Sequence, residues 1–177
     1  MSARGLAGLL LVAVLAAGCA TTPGVEAPYV QTPASVVTAM LRLAAVGPAD
    51  VVYDLGSGDG RVVIAAARDF GARGVGVELE PRLVAESRGI AARAGVADRA
   101  QFVQQDIFVT DVSPATVVTL YLGADLNARL RPRLLAQLKP GSRIVSHDFP
   151  IAGWDPARTI TVQGPDRSHT LYLWTVP

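Results

Sequence analysis

Cysteine, histidine and lysine are scarce in this 177-residue chain. The single cysteine, Cys19, excludes an intramolecular disulfide framework and any zinc cluster built on cysteine. The only histidines, His147 and His169, give no metal-ligand spacing, so no metal is expected. Lysine occurs once, at Lys139, among 16 basic residues; the other basic residues are arginines scattered along the chain. These face 15 acidic residues for a net charge of +1, which excludes a broad basic face and with it a nucleic-acid partner. Disorder and collagen-like repeats are excluded by an apolar fraction of 50%. The length fits one domain, and a monomer is expected.

The longest run without charge follows Arg4. Residues 5–20 (GLAGLLLVAVLAAGCA) follow Arg4 in the layout of a signal peptide: basic start, apolar run, small residues. The run is short for a spanning helix, which needs about 20 apolar residues. Ala17-Gly18-Cys19 resembles the end of a bacterial lipobox, which implies lipid on Cys19 as a new N-terminus; Ala16 stands where that signal usually has leucine. The expected organisation is a signal peptide or membrane anchor over 1–18, a proline-containing tether over 19–33, and a folded domain over 34–177. The protein is expected at a membrane, as a lipoprotein candidate, with the side left open.

From Pro33 onward, helix-like and strand-like runs alternate. Helices are predicted over 34–46, over 61–70 ended by Gly71, from Pro81 to before Gly95, and from a cap at Asp125 through Leu138. Strands are predicted over 51–55, 74–79, 101–105, 116–122 and 143–146. Alternation of this kind implies a Rossmann-like α/β fold: a parallel sheet with right-handed crossovers and helices on both faces. Runs 158–163 and 169–176, separated by Gly164-Pro165-Asp166 with no helix between, predict an antiparallel hairpin at the sheet edge.

The most informative stretch is Asp54-Leu55-Gly56-Ser57-Gly58-Asp59-Gly60, between the first strand and its helix. Glycines there permit a tight turn and close approach of a ligand. A dinucleotide fingerprint would need a third glycine where Arg61 stands, which disfavours NAD. An acid ahead of the first glycine opposes a pyrophosphate and suits an ammonium group, as in S-adenosyl-L-methionine (SAM). Glu78, with Leu79 beside it, ends strand two and can accept from ribose hydroxyls. Asp106-Ile107, after strand three, suits an adenine amino group and its apolar face. With the Leu138-Lys139-Pro140-Gly141 turn, these motifs resemble the class I SAM-dependent methyltransferases over roughly residues 28–177.

A narrower resemblance rests on Pro28-Tyr29-Val30-Gln31-Thr32-Pro33, on DLGSGDGRVVIAAA, and on His147-Asp148-Phe149-Pro150 with Trp154. These residues resemble a group of small protein-lysine methyltransferases. Its eukaryotic members modify the mitochondrial ATP synthase c-subunit and the adenine nucleotide carrier, and they too begin with an apolar membrane-associating segment. The resemblance implies a protein lysine as acceptor, possible in a membrane protein. Tyr29, Tyr121, Asp148 and Phe149 are the candidates for the acceptor side. The Asn-Pro-Pro-Tyr motif of amino-methylating enzymes is absent, since Leu120-Tyr121-Leu122-Gly123 stands there. Trp154 is expected to pack under the hairpin, and Asp59 either to bind the methionine part or to shape the loop. Two alternatives stand beside lysine methylation: a small-molecule N- or O-methyltransferase, and a non-catalytic, membrane-tethered SAM-binding module. The second arises because an exported domain lacks an obvious source of SAM, whose permanent charge bars it from the lipid core.

Overall fold

The computed structural model describes residues 29–177. The expected signal or anchor, Cys19 and most of the tether lie outside the described residues. Among the described residues, no helix is long and apolar enough to cross a membrane.

Among the described residues, seven strands form one sheet: β1 (Val51–Leu55), β2 (Arg73–Glu78), β3 (Ala100–Gln104), β4 (Val117–Leu120), β5 (Arg143–His147), β6 (Arg158–Gln163) and β7 (Ser168–Thr175). Their order is β3-β2-β1-β4-β5-β7-β6. The first five run parallel, and β7 is antiparallel to both β5 and β6, so the hairpin sits at the edge as its sequence predicts. Growth of the sheet reverses between β1 and β4. A crevice therefore opens at the carboxyl ends of those strands, where open α/β sheets hold their ligands.

Among the described residues, four helices flank the sheet: α1 (Ala34–Leu43), α2 (Arg61–Phe70), α3 (Pro81–Arg93) and α4 (Ala124–Gln137). The helical layers are unequal. Val36, Val37, Met40 and Leu41 of α1 join Val62 and Ala66 of α2 in one core cluster. Val63, Ile64 and Ala67 of α2 meet Val84 and Ala91 of α3 and Phe102 of β3 in a second. The other large cluster has α4 as its only helix among the described residues, through Leu130 and Leu134. It is filled instead by Val112 and Ala115 of the helix-free link from β3 to β4, and by Trp174 of the hairpin. Trp174 is fully buried, and its Nε1 donates to the Trp154 carbonyl at 2.9 Å, so Trp154 packs beneath the hairpin as expected.

Two local expectations are corrected. Helix α1 stops at Leu43 rather than 46, because Ala45 turns left-handed at φ 50° before Gly47-Pro48 is reached. Asp125 does not cap α4; Gly123 does, and Asp125 lies in the first turn, where a carboxylate still favours the helix dipole. At the amino end of the sheet, Arg143 donates to the Ala44 carbonyl at 2.5 Å and to the Asp50 carboxylate, tying β5 to the end of α1 and the start of β1.

Candidate active site

The crevice contains a cavity of about 510 Å³. Its floor is formed by Asp54, Gly56, Ser57, Gly58 and Asp59, while Gly60, expected to bind the cofactor, faces Phe102 and Ser87 instead; its walls come from residues at the ends of β2, β3 and β4. The end of the predicted tether, residues 29–33, forms no helix or strand and packs across the opening. Thr32 there is buried, so this part is a cover rather than a free linker. The Tyr29 ring occupies the close approach that the turn permits. A Cβ on Gly58 would lie 2.6 Å from Tyr29 Cε2.

Three carboxylates, Asp54, Glu78 and Asp106, stand in a row at the ends of adjacent strands β1, β2 and β3, as the sequence predicts. All three line the cavity, as do Leu79 and Ile107. Asp54 is buried beside β4, where register places Thr119 opposite it; the Thr119 hydroxyl donates to Asp54 Oδ1 at 2.6 Å. Burial pushes the Asp54 carboxyl up to about 7; Thr119 opposes the shift, and the charges of Glu78 and Asp59 add to it. A buried carboxylate with one hydroxyl partner is a site for a cation.

Glu78 is more occupied than expected. Its Oε2 accepts from Gly58 N at 2.9 Å, and its Oε1 from Leu79 N at 2.8 Å and Glu80 N at 3.0 Å. A carboxylate offers about four acceptor sites, so one remains for a ligand hydroxyl, and taking two requires the Gly58 amide to let go. Asp106 keeps one oxygen for the Phe108 amide at 2.8 Å. Asp59 shapes the loop through an ion pair with Arg61 at 2.5 Å. Burial raises its pKa, but the hydrogen bonds and charge of Arg61 outweigh this and hold the carboxyl below its usual range. Asp59 also accepts from Gln31 Nε2 at 3.2 Å, and Arg61 Nη1 donates to the Thr32 carbonyl at 2.8 Å, which fastens the cover to the glycine turn.

On the acceptor side, Tyr29 and Tyr121 reach the cavity. Asp148 does not line it. Tyr121 stacks on His147 with ring centroids 3.9 Å apart, and Asp148 lies against His147 Nε2 at 3.2 Å. Phe149 is partly exposed, 6.0 Å from the Tyr121 ring. The sequence spacing of the histidines says nothing of their contact. Strands β5 and β7 bring His147 Nε2 within 2.8 Å of His169 Nδ1, with Asp148 Oδ2 at 3.7 Å from the same His169 atom. Arg167 pairs with that carboxylate oxygen at 2.5 Å. Thr119, Thr32 and His169 escaped sequence reasoning; the isolated threonine in the buried run Val117-Val118-Thr119-Leu120 was the readable signal for the first.

The residues fit SAM in chemistry. The buried Asp54 suits its ammonium and Glu78 its ribose. Ser57 lines the cavity, and its buried hydroxyl has no hydrogen-bond partner in the protein. Residues 54–158 match the ANTKMT methyltransferase domain family. A protein-lysine N-methyltransferase of Saccharolobus islandicus is 45% identical over 150 residues, 84% of this chain and 93% of the relative. The mouse adenine nucleotide translocase lysine N-methyltransferase is 34% identical over 142 residues, 80% of this chain but only 61% of that longer protein. A crystal structure from Salinibacter ruber, described as an RNA methyltransferase in complex with S-adenosyl-L-homocysteine, superposes with a TM-score of 0.80 at 55% identity, covering 84% of this chain and 94% of that one.

Proposed function

The chain belongs to the ANTKMT methyltransferase domain family and is a SAM-dependent methyltransferase, and on that premise we propose that its acceptor is the side-chain amine of a protein lysine. The observation that carries this reading is the 45% identity across nearly the whole archaeal protein-lysine enzyme. Bound SAM supplies a methyl group on a sulfonium-activated carbon, open to in-line attack by an amine. Asp54, Glu78, Asp106, Leu79 and Ile107, with residues 56–59 of the turn, hold the cofactor. The cover and Tyr121 shape the acceptor end and exclude water. Aromatic faces of Tyr29 and Tyr121 attract an ammonium while it waits to be deprotonated.

Two sources of methyl acceptor compete, because the Salinibacter ruber protein is described as acting on RNA. Incubation of the full chain with tritiated SAM and cell extract, split into protein, RNA and small molecules, separates them. Label in protein, released as methyl-lysine on hydrolysis, is expected; label confined to RNA or small molecules overturns the reading.

The pH dependence of cofactor binding follows from Asp54. An ammonium partner favours the ionised carboxylate, so binding below the carboxyl's pKa of about 7 must displace a proton. SAM affinity is expected to fall about tenfold for each pH unit below that point and to level off above it. Calorimetric titration from acid to mildly alkaline pH checks this, and an affinity indifferent to acid contradicts it.

On the apolar run 5–20 alone, we propose that the N-terminal segment holds the domain at a membrane and that the acceptor is a membrane protein. Labelled palmitate incorporated into the wild type but not into Cys19→Ser supports the lipidated form.

A further inference from the structure

We propose that Thr32 is the hydrogen-bond acceptor that orients the methyl-accepting amine, its hydroxyl turned into a pure acceptor by a relay from Asp148 through His147. The inference rests on the lysine reading above. Thr32 lines the cavity on the covering segment, and its backbone is fixed by Arg61 Nη1 at 2.8 Å. Its Oγ1 lies 3.1 Å from His147 Nδ1. Thr32, His147 and His169 are all nearly inaccessible to solvent, and such a buried polar row persists only when its hydrogen bonds are satisfied.

In this proposal the direction of those bonds is assigned from the outer end. Asp148 Oδ1 accepts from Thr170 N at 2.9 Å and Oδ2 from Arg167 at 2.5 Å. Burial raises the Asp148 pKa, but Arg167 and the Thr170 amide outweigh it, so the carboxyl stays ionised and can only accept. A bare His147 Nε2 would set its lone pair against that carboxylate oxygen at 3.2 Å, so the proposal places the hydrogen on Nε2, which gives it to His169 Nδ1 at 2.8 Å. Burial holds His147 down to about 4, with His169 and Arg167 adding to the shift and Asp148 opposing it; the ring is neutral, and its Nδ1 bears a lone pair. The single hydroxyl hydrogen of Thr32 must then go to Nδ1. What Thr32 presents to the cavity is oxygen lone pairs alone, which take an N–H and reject a group that has none to give. An amine held by one N–H keeps its lone pair aimed elsewhere, as in-line attack requires. Thr32 touches the substrate in this arrangement, while His147 and Asp148 act through it as positioning residues.

The experiment has two parts, both on the full chain in detergent. Long-range proton–nitrogen NMR of histidine-labelled protein at alkaline pH reads the His147 tautomer without any acceptor. Hydrogen on Nε2 and a bare Nδ1 are expected, and hydrogen on Nδ1 overturns the proposal. Methylation of poly-L-lysine is then compared across variants. Thr32→Val is expected to lower kcat/KM about 10- to 100-fold, as for loss of a hydrogen bond to a nitrogen that gains positive charge as the methyl is transferred. Thr32→Ser should stay within about threefold of wild type, while calorimetric SAM affinity is unchanged in both. Asp148→Asn, which offers His147 a donor in place of an acceptor, should move the hydrogen to Nδ1 and lower kcat/KM. Equal activity of the valine and serine variants overturns the inference. If the wild type labels no lysine at all, the lysine reading falls, and the tautomer still decides the direction of the relay.

Discussion

Asp54→Asn is expected to weaken SAM binding by about 100-fold or more and, at the same time, to raise the melting temperature of the ligand-free protein. Removing one partner of a buried ion pair costs about 3–5 kcal/mol, or two to three decades in affinity. The stabilising half follows from the same burial. Without ligand, Asp54 faces the charges of Glu78 and Asp59 with only the Thr119 hydroxyl to help it. Its pKa rises on folding from 3.8 to about 7, so the folded state binds the proton more tightly than the unfolded one. Stability contributed by that protonation is full below the unfolded value, drains away as pH rises, and is gone above about 7. Asparagine keeps an acceptor for Thr119 and carries no charge. The gain in melting temperature should be several degrees at pH 8 and vanish near pH 4, by calorimetry at both. A variant that binds SAM normally, or melts lower at pH 8, contradicts this account.

Gly60→Ala is expected to destabilise the domain by about 2–6 kcal/mol, adding a strained left-handed residue to an overpacked core. Gly60 precedes α2 with φ 80°. A Cβ there would lie 2.4 Å from the Phe102 ring and 2.8 Å from Ser87 Cβ. Neither neighbour can yield cheaply, because Phe102 is gripped between α2 and α3 and Ser87 is buried inside α3. Gly95 is the internal control: φ is 69°, but nothing lies within 4 Å of its would-be Cβ. Thermal unfolding should show Gly60→Ala falling by roughly 5–20 °C, well beyond Gly95→Ala. Equal melting of the two variants would mean that the packing at Gly60 is looser than the distances indicate.

The order of strands and helices was legible because short strand-like runs such as Val51–Leu55 alternate with helix-like runs, bounded by glycine or proline signals such as Gly56, Gly71, Pro81 and Gly95. The cofactor carboxylates were legible for a related reason: they fall at strand ends, and strand ends were readable. Contacts between distant segments were not. His147 and His169 are near in space only because β5 and β7 pair antiparallel with His147 opposite Leu171, a register that no local pattern announces. Thr32 lay in a stretch whose prolines and small polar residues read as tether, yet that stretch is anchored by Arg61, a helix residue whose partner composition cannot reveal. Asp148 was singled out for its place after β5. The turn there, at φ 60°, points its carboxylate to Thr170 and Arg167 instead of the cavity.

Lys139 stands in the turn that enters β5, at the amino end of a sheet whose cavity opens at the carboxyl end. The enzyme thus carries its only lysine on the opposite pole from its own reaction centre. It cannot modify itself within one molecule, and its surface otherwise offers arginine where most proteins offer lysine. Radiolabel on this chain would have to come from an encounter between two copies, so its dependence on enzyme concentration would be second order. On the lysine reading proposed above, a catalyst nearly free of lysine spends few methyl groups on its own surface and competes little with its substrate for its own cavity.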